Sequence, residues 1–321
     1  MFAEPRRDEP EFLAWRTRET ESVRSRRLSP EVSFHEDMVA LASQNHLRRR
    51  PTTPEQLAQI NLDRALSLFH DRFADAGDFT FVIVGNVDLG QLQPLAETFL
   101  GSLPSKRRKE SWKDVGVSWP PGVKTKTIVQ GHEPKSSVTL NFHGAERSSK
   151  EAADDMRALV DVLRIRLREV LRDDLGGVYG VQISGAISRR PRQEYGVNVS
   201  FGCSPDNVEK LEGAIFDEIS ALQHDGVSPD YLAKVKESRK RGHEVELKDN
   251  AYWLRELSRS YEFGDDPRHI EDIAPTLSRI TSDRLRAAAN KYLSTRQYVL
   301  GVLKPENVAA PGPSFPTVSQ P

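Results

Sequence analysis

Residues Leu167-Arg168-Glu169-Val170-Leu171-Arg172-Asp173-Asp174-Leu175-Gly176-Gly177-Val178-Tyr179 decide how this chain is read. They are the charged end of a helix, a double-glycine stop and the first residues of a strand. Upstream, Ala152, Met156, Leu159, Leu163, Leu167 and Val170 recur at spacings of three and four, which predicts one amphipathic helix from about Ser149. Downstream, Val178 to Ile187 and Tyr195 to Phe201 alternate as an antiparallel pair. Arg172 and Tyr179 flank the helix-to-strand turn, a geometry that can aim a guanidinium and a phenol into one space. Bland readings stand beside this one. Arg172 suits a helix C-terminus electrostatically, and Tyr179 suits a strand with a buried ring.

Outward from this block, Ser204-Pro205-Asp206 opens a helix to about Gln223, and Ser228-Pro229-Asp230 opens a longer one through Leu247. A helix near Thr281-Ser282-Asp283 leads to a closing strand, Tyr298 to Leu303. Val123 to Val129 and Val138 to Phe142 are further strand candidates. In the front part, residues up to about fifty read as helical. A helix starts at Thr53-Pro54-Glu55-Gln56-Leu57 and runs through Phe73, Phe79 to Val84 reads as a strand, and Leu92 to Leu103 as a helix.

Two internal echoes organise these elements. Thr53 to Gly85 and Thr281 to Leu303 are each a capped helix followed by a strand. Phe79 to Leu103 and Tyr195 to Leu222 are each a strand ending at a glycine, a polar turn and an amphipathic helix. The expectation is a duplicated α+β unit, with antiparallel-rich sheets covered by helices and with one partial and one complete repeat. Residues 1–105 form the later portion of a first domain, 106–122 a linker, 123–308 a complete domain and 309–321 a disordered tail rich in Pro, Ser and Gly. A domain lacking its front half leaves apolar faces uncovered and calls for a partner.

The 46 basic and 47 acidic residues among 321 give a formal net charge of −1, which argues against nucleic acid or an anionic membrane as partner. The single cysteine, Cys203, rules out an intramolecular disulfide and argues against a thiolate metal site. The N-terminus lacks the apolar run of a signal peptide, so the chain as written is expected to stay where it is made.

The Leu-Arg-Asp-Asp-Leu-Gly-Gly-Val-Tyr block at 171–179, the segment Phe79 to Asn86, the strand Tyr195 to Cys203 and the stretch Leu254 to Gly264 resemble the pitrilysin/insulinase family of zinc metallopeptidases. The resemblance spans about Trp15 to Pro305 and is nearest the bacterial four-domain members, which are often periplasmic. It implies a pitrilysin-like α/β sandwich and a place in the C-terminal half of such an enzyme. In that family the N-terminal half carries an inverted zinc motif, His-x-x-Glu-His, and a later glutamate. The C-terminal half carries an arginine and a tyrosine that bind substrate near the scissile bond. By motif these are Arg172 and Tyr179 here, suited to hold a peptide carbonyl and its oxyanion.

The departures matter as much. No His-x-x-Glu-His occurs in the chain. His143-Gly144-Ala145-Glu146-Arg147 has arginine for the second histidine and follows a strand, and His243-Glu244-Val245-Glu246 lacks a histidine at i+4. His35, His46, His70, His132, His224 and His269 read as surface or packing residues, and Asp173 and Asp174 diverge as neighbours on a helix. The expectation is a noncatalytic, peptide-binding C-terminal region that holds no metal and becomes a protease only beside a zinc-bearing half. The rival expectations are an inactive structural or assembly subunit of the same family, and a truncated gene fragment.

Overall fold

The computed structural model describes residues 5–106, 108, 110–176 and 178–306, without the side chains of Arg172, Asp173, Asp174 and Tyr179. The expected tail from 309 to 321 lies outside the described residues. Packing groups the chain into two units, one of residues 1–25, 52–115 and 228–281, the other of residues 26–51, 116–227 and 282–321. No helix among the described residues is long and apolar enough to cross a membrane.

The second unit carries a five-stranded sheet built from β1 (Val123–Val129), β2 (Ser136–Ala145), β3 (Val178–Ser188), β4 (Glu194–Cys203) and β5 (Tyr298–Lys304). Its order is β1-β5-β2-β4-β3; β1 runs parallel to β5 and the other pairings are antiparallel. Alternation sorts the two faces. Val138, Leu140 and Phe142 on β2 and Val197, Val199 and Phe201 on β4 are buried, with the residues between them only partly so. A helical layer of α6 (Lys150–Arg168), α7 (Val208–Asp225) and α11 (Ser282–Tyr292) completes this core with fully buried Leu159, Leu163, Leu211, Ile215 and Ile219. The opposite face is covered in part by α2 (Pro30–Ala42), whose Phe34 and Met38 pack on Val299 and Leu303 of β5. Gly301 permits this approach, because a Cβ there would lie 2.3 Å from Met38 Sδ.

The first unit is helical: α1 (Glu9–Arg26), α3 (Pro54–Ala58), α4 (Leu62–Phe73), α5 (Leu89–Phe99), α8 (Pro229–Glu246), α9 (Asn250–Phe263) and α10 (Ala274–Arg279). Two expectations from the sequence do not hold in this unit. The single helix expected from Thr53 to Phe73 is two. Thr53 and Gln56 form a capping box on α3, and Asn61 then starts α4 by accepting from the Arg64 backbone N–H at 2.9 Å. The strand expected at 79–84 belongs to no ladder among the described residues. A β-prone segment becomes a strand only when a neighbouring strand pairs with it. The linker region is tied to this unit by Asp75, whose buried carboxylate accepts from the backbone N–H groups of Gly77, Lys106 and Arg108 at 2.8–3.0 Å. These bonds to Arg108 and Lys106 hold its carboxyl below the usual carboxylate range.

Candidate functional site

The helix that leads to the site starts where its sequence dictates. Ser149 accepts from the Ala152 backbone N–H at 3.1 Å, and Met156, Leu159, Leu163 and Leu167 are buried along one face. It does not run as an α-helix up to the glycines. From Glu169 to Asp174 the backbone loosens into a π-helical turn around fully buried Leu171, and the Leu175 N–H reaches back to the Val170 carbonyl at 3.1 Å. Such a turn holds one extra residue and redirects the chain beyond it, and it recurs at functional sites. Gly176 then takes φ +56°, a left-handed conformation that suits glycine.

Strand β3 carries a second irregularity. Val178 pairs with Cys203 and Gly180 with Gly202, so Tyr179 is the extra residue of a β-bulge. Bulges re-aim one side chain out of the regular alternation. The two site residues expected from the sequence, Arg172 and Tyr179, therefore occupy the two backbone irregularities on either side of the turn. Their side chains lie outside the described residues, as do Gly177 and the side chains of Asp173 and Asp174.

β3 is an edge strand, bonded to β4 on one side only among the described residues. An open edge presents alternating N–H and C=O groups that a further extended chain can pair with. One of its carbonyls is engaged: Arg164 of α6, ion-paired with Asp161, donates from Nη2 to the Ile183 carbonyl at 3.2 Å.

The histidines nearest a zinc spelling do not fit a metal. His143 is on β2, buried, with its ring stacked on Trp119 at 4.6 Å between centroids and 9° between planes. Its Nδ1 faces Gln297 Nε2 at 3.3 Å, and its Nε2 is buried with no partner among the described residues. Burial pushes its pKa down to about 4, so the ring is neutral at physiological pH. The carboxylate three residues on is occupied too. Glu146 is buried and ion-paired with Lys291, beside Tyr195 and Tyr292, whose phenols are pushed up by burial and then by the Glu146 charge. His243 on α8 has both ring nitrogens engaged, Nε2 with the Glu271 carbonyl at 3.1 Å and Nδ1 with the Tyr252 hydroxyl at 3.4 Å. No cluster of three or more His, Cys, Asp or Glu side chains among the described residues is placed to hold a metal ion. Cys203 is fully buried, and its thiol is pushed up to about 11 by that burial and by Glu212, which makes it a packing residue.

No sequence pattern announces the π-helical turn, the bulge or the edge position of β3. The double glycine marks a turn, but a one-residue insertion in a strand has no composition of its own.

Residues 60–239 match the family model described as the peptidase M16 inactive domain. The chain is 26% identical over 301 residues to a protein of Arabidopsis thaliana named "Zinc protease PQQL-like"; this covers 89% of the chain and 31% of that protein's length. Among solved structures, the periplasmic protease PqqL from Escherichia coli superposes with a TM-score of 0.77 at 20% identity, covering 93% of this chain and 33% of PqqL. A peptidase M16 inactive domain from Pseudomonas fluorescens superposes with a TM-score of 0.74 at 15% identity, over 97% of this chain and 74% of that one. At these identities the structures show the fold. The chain thus spans about a third of the full-length relatives.

Proposed function

Since this chain belongs to the peptidase M16 family through its inactive domain, we propose that it is the peptide-holding, noncatalytic C-terminal region of a zinc peptidase. A second region or subunit of the same family would bring the zinc, its histidines and the base, since the histidines here fit no metal. In this reading residues 1–105 are the later part of one family domain, 106–122 join it to the next, and 123–308 are that next domain complete. Arg172 and Tyr179 hold the peptide carbonyl that becomes an oxyanion, and the open edge of β3 pairs with the peptide backbone. The observation that carries the reading is the coincidence of both residues with the π-helical turn and the bulge beside that edge.

The test is peptide hydrolysis with this chain alone, with a His-x-x-Glu-His-bearing family member alone, and with the two mixed. Hydrolysis in the mixture only, falling by about 10²-fold with Arg172→Ala, is the expected result. Equal hydrolysis with and without this chain would overturn it.

One observation favours a second reading, an assembly subunit. Ile83, Leu95 and Phe99 of the first unit are 52%, 53% and 66% exposed, an apolar surface of the sort that partners cover. Under that reading Arg172→Ala leaves the mixture's activity intact, while Phe99→Glu prevents association.

A further inference from the structure

The face of the sheet opposite α6, α7 and α11 is left open over β2, β4 and β3, and a groove of about 560 Å³ runs along it beside α2. Its floor is unusual for a sheet. Thr139, Ser200 and Gln182 face one another across three strands, and Asn141 and Asn198 form the next row. Asn is depleted in strands, so the facing pair Asn141 and Asn198 on one surface is not explained by propensity. Asn198 Nδ2 donates to Thr139 Oγ1 at 3.0 Å and to Asn141 Oδ1 at 2.9 Å, which fixes the amides in place. Ser200 and Gln182 have no side-chain hydrogen bond among the described residues. Met38 and Trp119 form an apolar wall beside this floor. Among the described lining residues His35 is the one titratable side chain.

This chemistry selects a ligand class. Amides and hydroxyls offer donors and acceptors together, as a peptide backbone does. A charged ligand would lose water here and find no opposite charge. The groove also meets the candidate site, since Gly180 and Gly202, paired beside the Tyr179 bulge, both line it. A Cβ at Gly180 would have nothing within 4 Å, so the fold does not require a glycine there. A strand glycine with open space above it leaves room for a passing backbone.

We propose that this groove is a subsite for an extended peptide segment with uncharged side chains, continuous with the β3 edge, and that it sets a preference against charged residues in the bound peptide. The inference rests on the peptide-binding reading of the chain. Backbone amides of the peptide meet Ser200 and Gln182, and alternate side chains turn toward Met38 and Trp119.

The test uses the full chain and three short fluorescein-labelled peptides read by anisotropy: one rich in Thr, Leu and Ala, and the same peptide with aspartates or with lysines at alternate positions. The neutral peptide binds about tenfold tighter than either charged one. Gly180→Val weakens the neutral peptide by about tenfold with an unchanged melting temperature, and Ser200→Asp turns the preference toward the lysine peptide. Arg172→Ala weakens all three alike. Equal affinities in the unaltered chain, or no change of ranking with Ser200→Asp, overturn the groove assignment and leave the peptide-binding reading standing. Absence of binding to all three overturns that reading and the groove with it.

Discussion

Residues 79–99 and 194–225 spell the same plan in different surroundings. Each is a β-prone run ending at a glycine, a polar turn and an amphipathic helix. In the second unit, β4 is bonded on both sides, by β2 and β3, and α7 buries Val208, Leu211, Ile215, Ile219 and Leu222. In the first, residues 79–84 enter no ladder among the described residues, and α5 buries none of its side chains. Sequence preference is alike in the two; neighbours differ. The contrast teaches that β-structure is a property of pairs, and that an amphipathic helix is stabilised by the face it covers more than by its own propensity.

Hydrogen exchange is the sharpest way to break this comparison. Amides of 197–201 should be protected by at least about 10³-fold more than those of 81–84, because the former open only with the sheet. Equal protection would show that 79–84 is paired in solution.

Truncation of matched helix positions comes next. Ile219→Ala, at a fully buried site on α7, should cost about 3 kcal/mol in a urea melt, and Leu95→Ala on α5 less than about 0.5 kcal/mol. Similar losses would mean that the face of α5 is covered by self-association.

An effect no larger separates the second unit by pH. The folded-state pKa of His143, about 4, lies below its ordinary 6.5, so the unfolded chain takes up a proton that the folded chain refuses. Stability should decline as pH falls from about 6.5 to about 4 and level off below, by roughly 3 kcal/mol at most. His143→Phe keeps the stack on Trp119 and should flatten that slope in melts across the range; an unchanged slope would place the titration elsewhere.

Smallest is Ile83→Lys, at a half-exposed position. It should alter stability by less than about 0.5 kcal/mol while lowering the binding of a hydrophobic dye. Unchanged dye binding would remove this segment from the apolar surface.

How much was legible depends on the range of the interaction. Local signals were readable: the Ser149 and Ser228 caps, the apolar stripe of α6 and the alternation of β3 and β4 all appear in the fold as expected. Helix α9 was not anticipated as an element, although Asp249 caps it through the Ala251 N–H and Gly264 ends it in a left-handed conformation. Its cap and stop were there to be used, but its polar residues masked the period. The parallel pairing of β1 with β5 and the seat of α2 on β5 join residues far apart in the chain, and no local pattern announces either. For the candidate site, the sequence pointed to Arg172 and Tyr179 by motif alone. The distortions that make those positions special are absences of regularity, and composition does not record them.

The position of β5 in the sheet bears on how the protein is made. β5 lies between β1 and β2, and its residues 298–304 emerge from the ribosome some 170 residues after β1. Until then β1 has no neighbour, and β2 has a bare flank where β5 will insert. The sheet closes only after β5 has been synthesised, so a nascent chain carries that open flank while residues 146–297 are made and is a natural client for chaperones that shield strand edges.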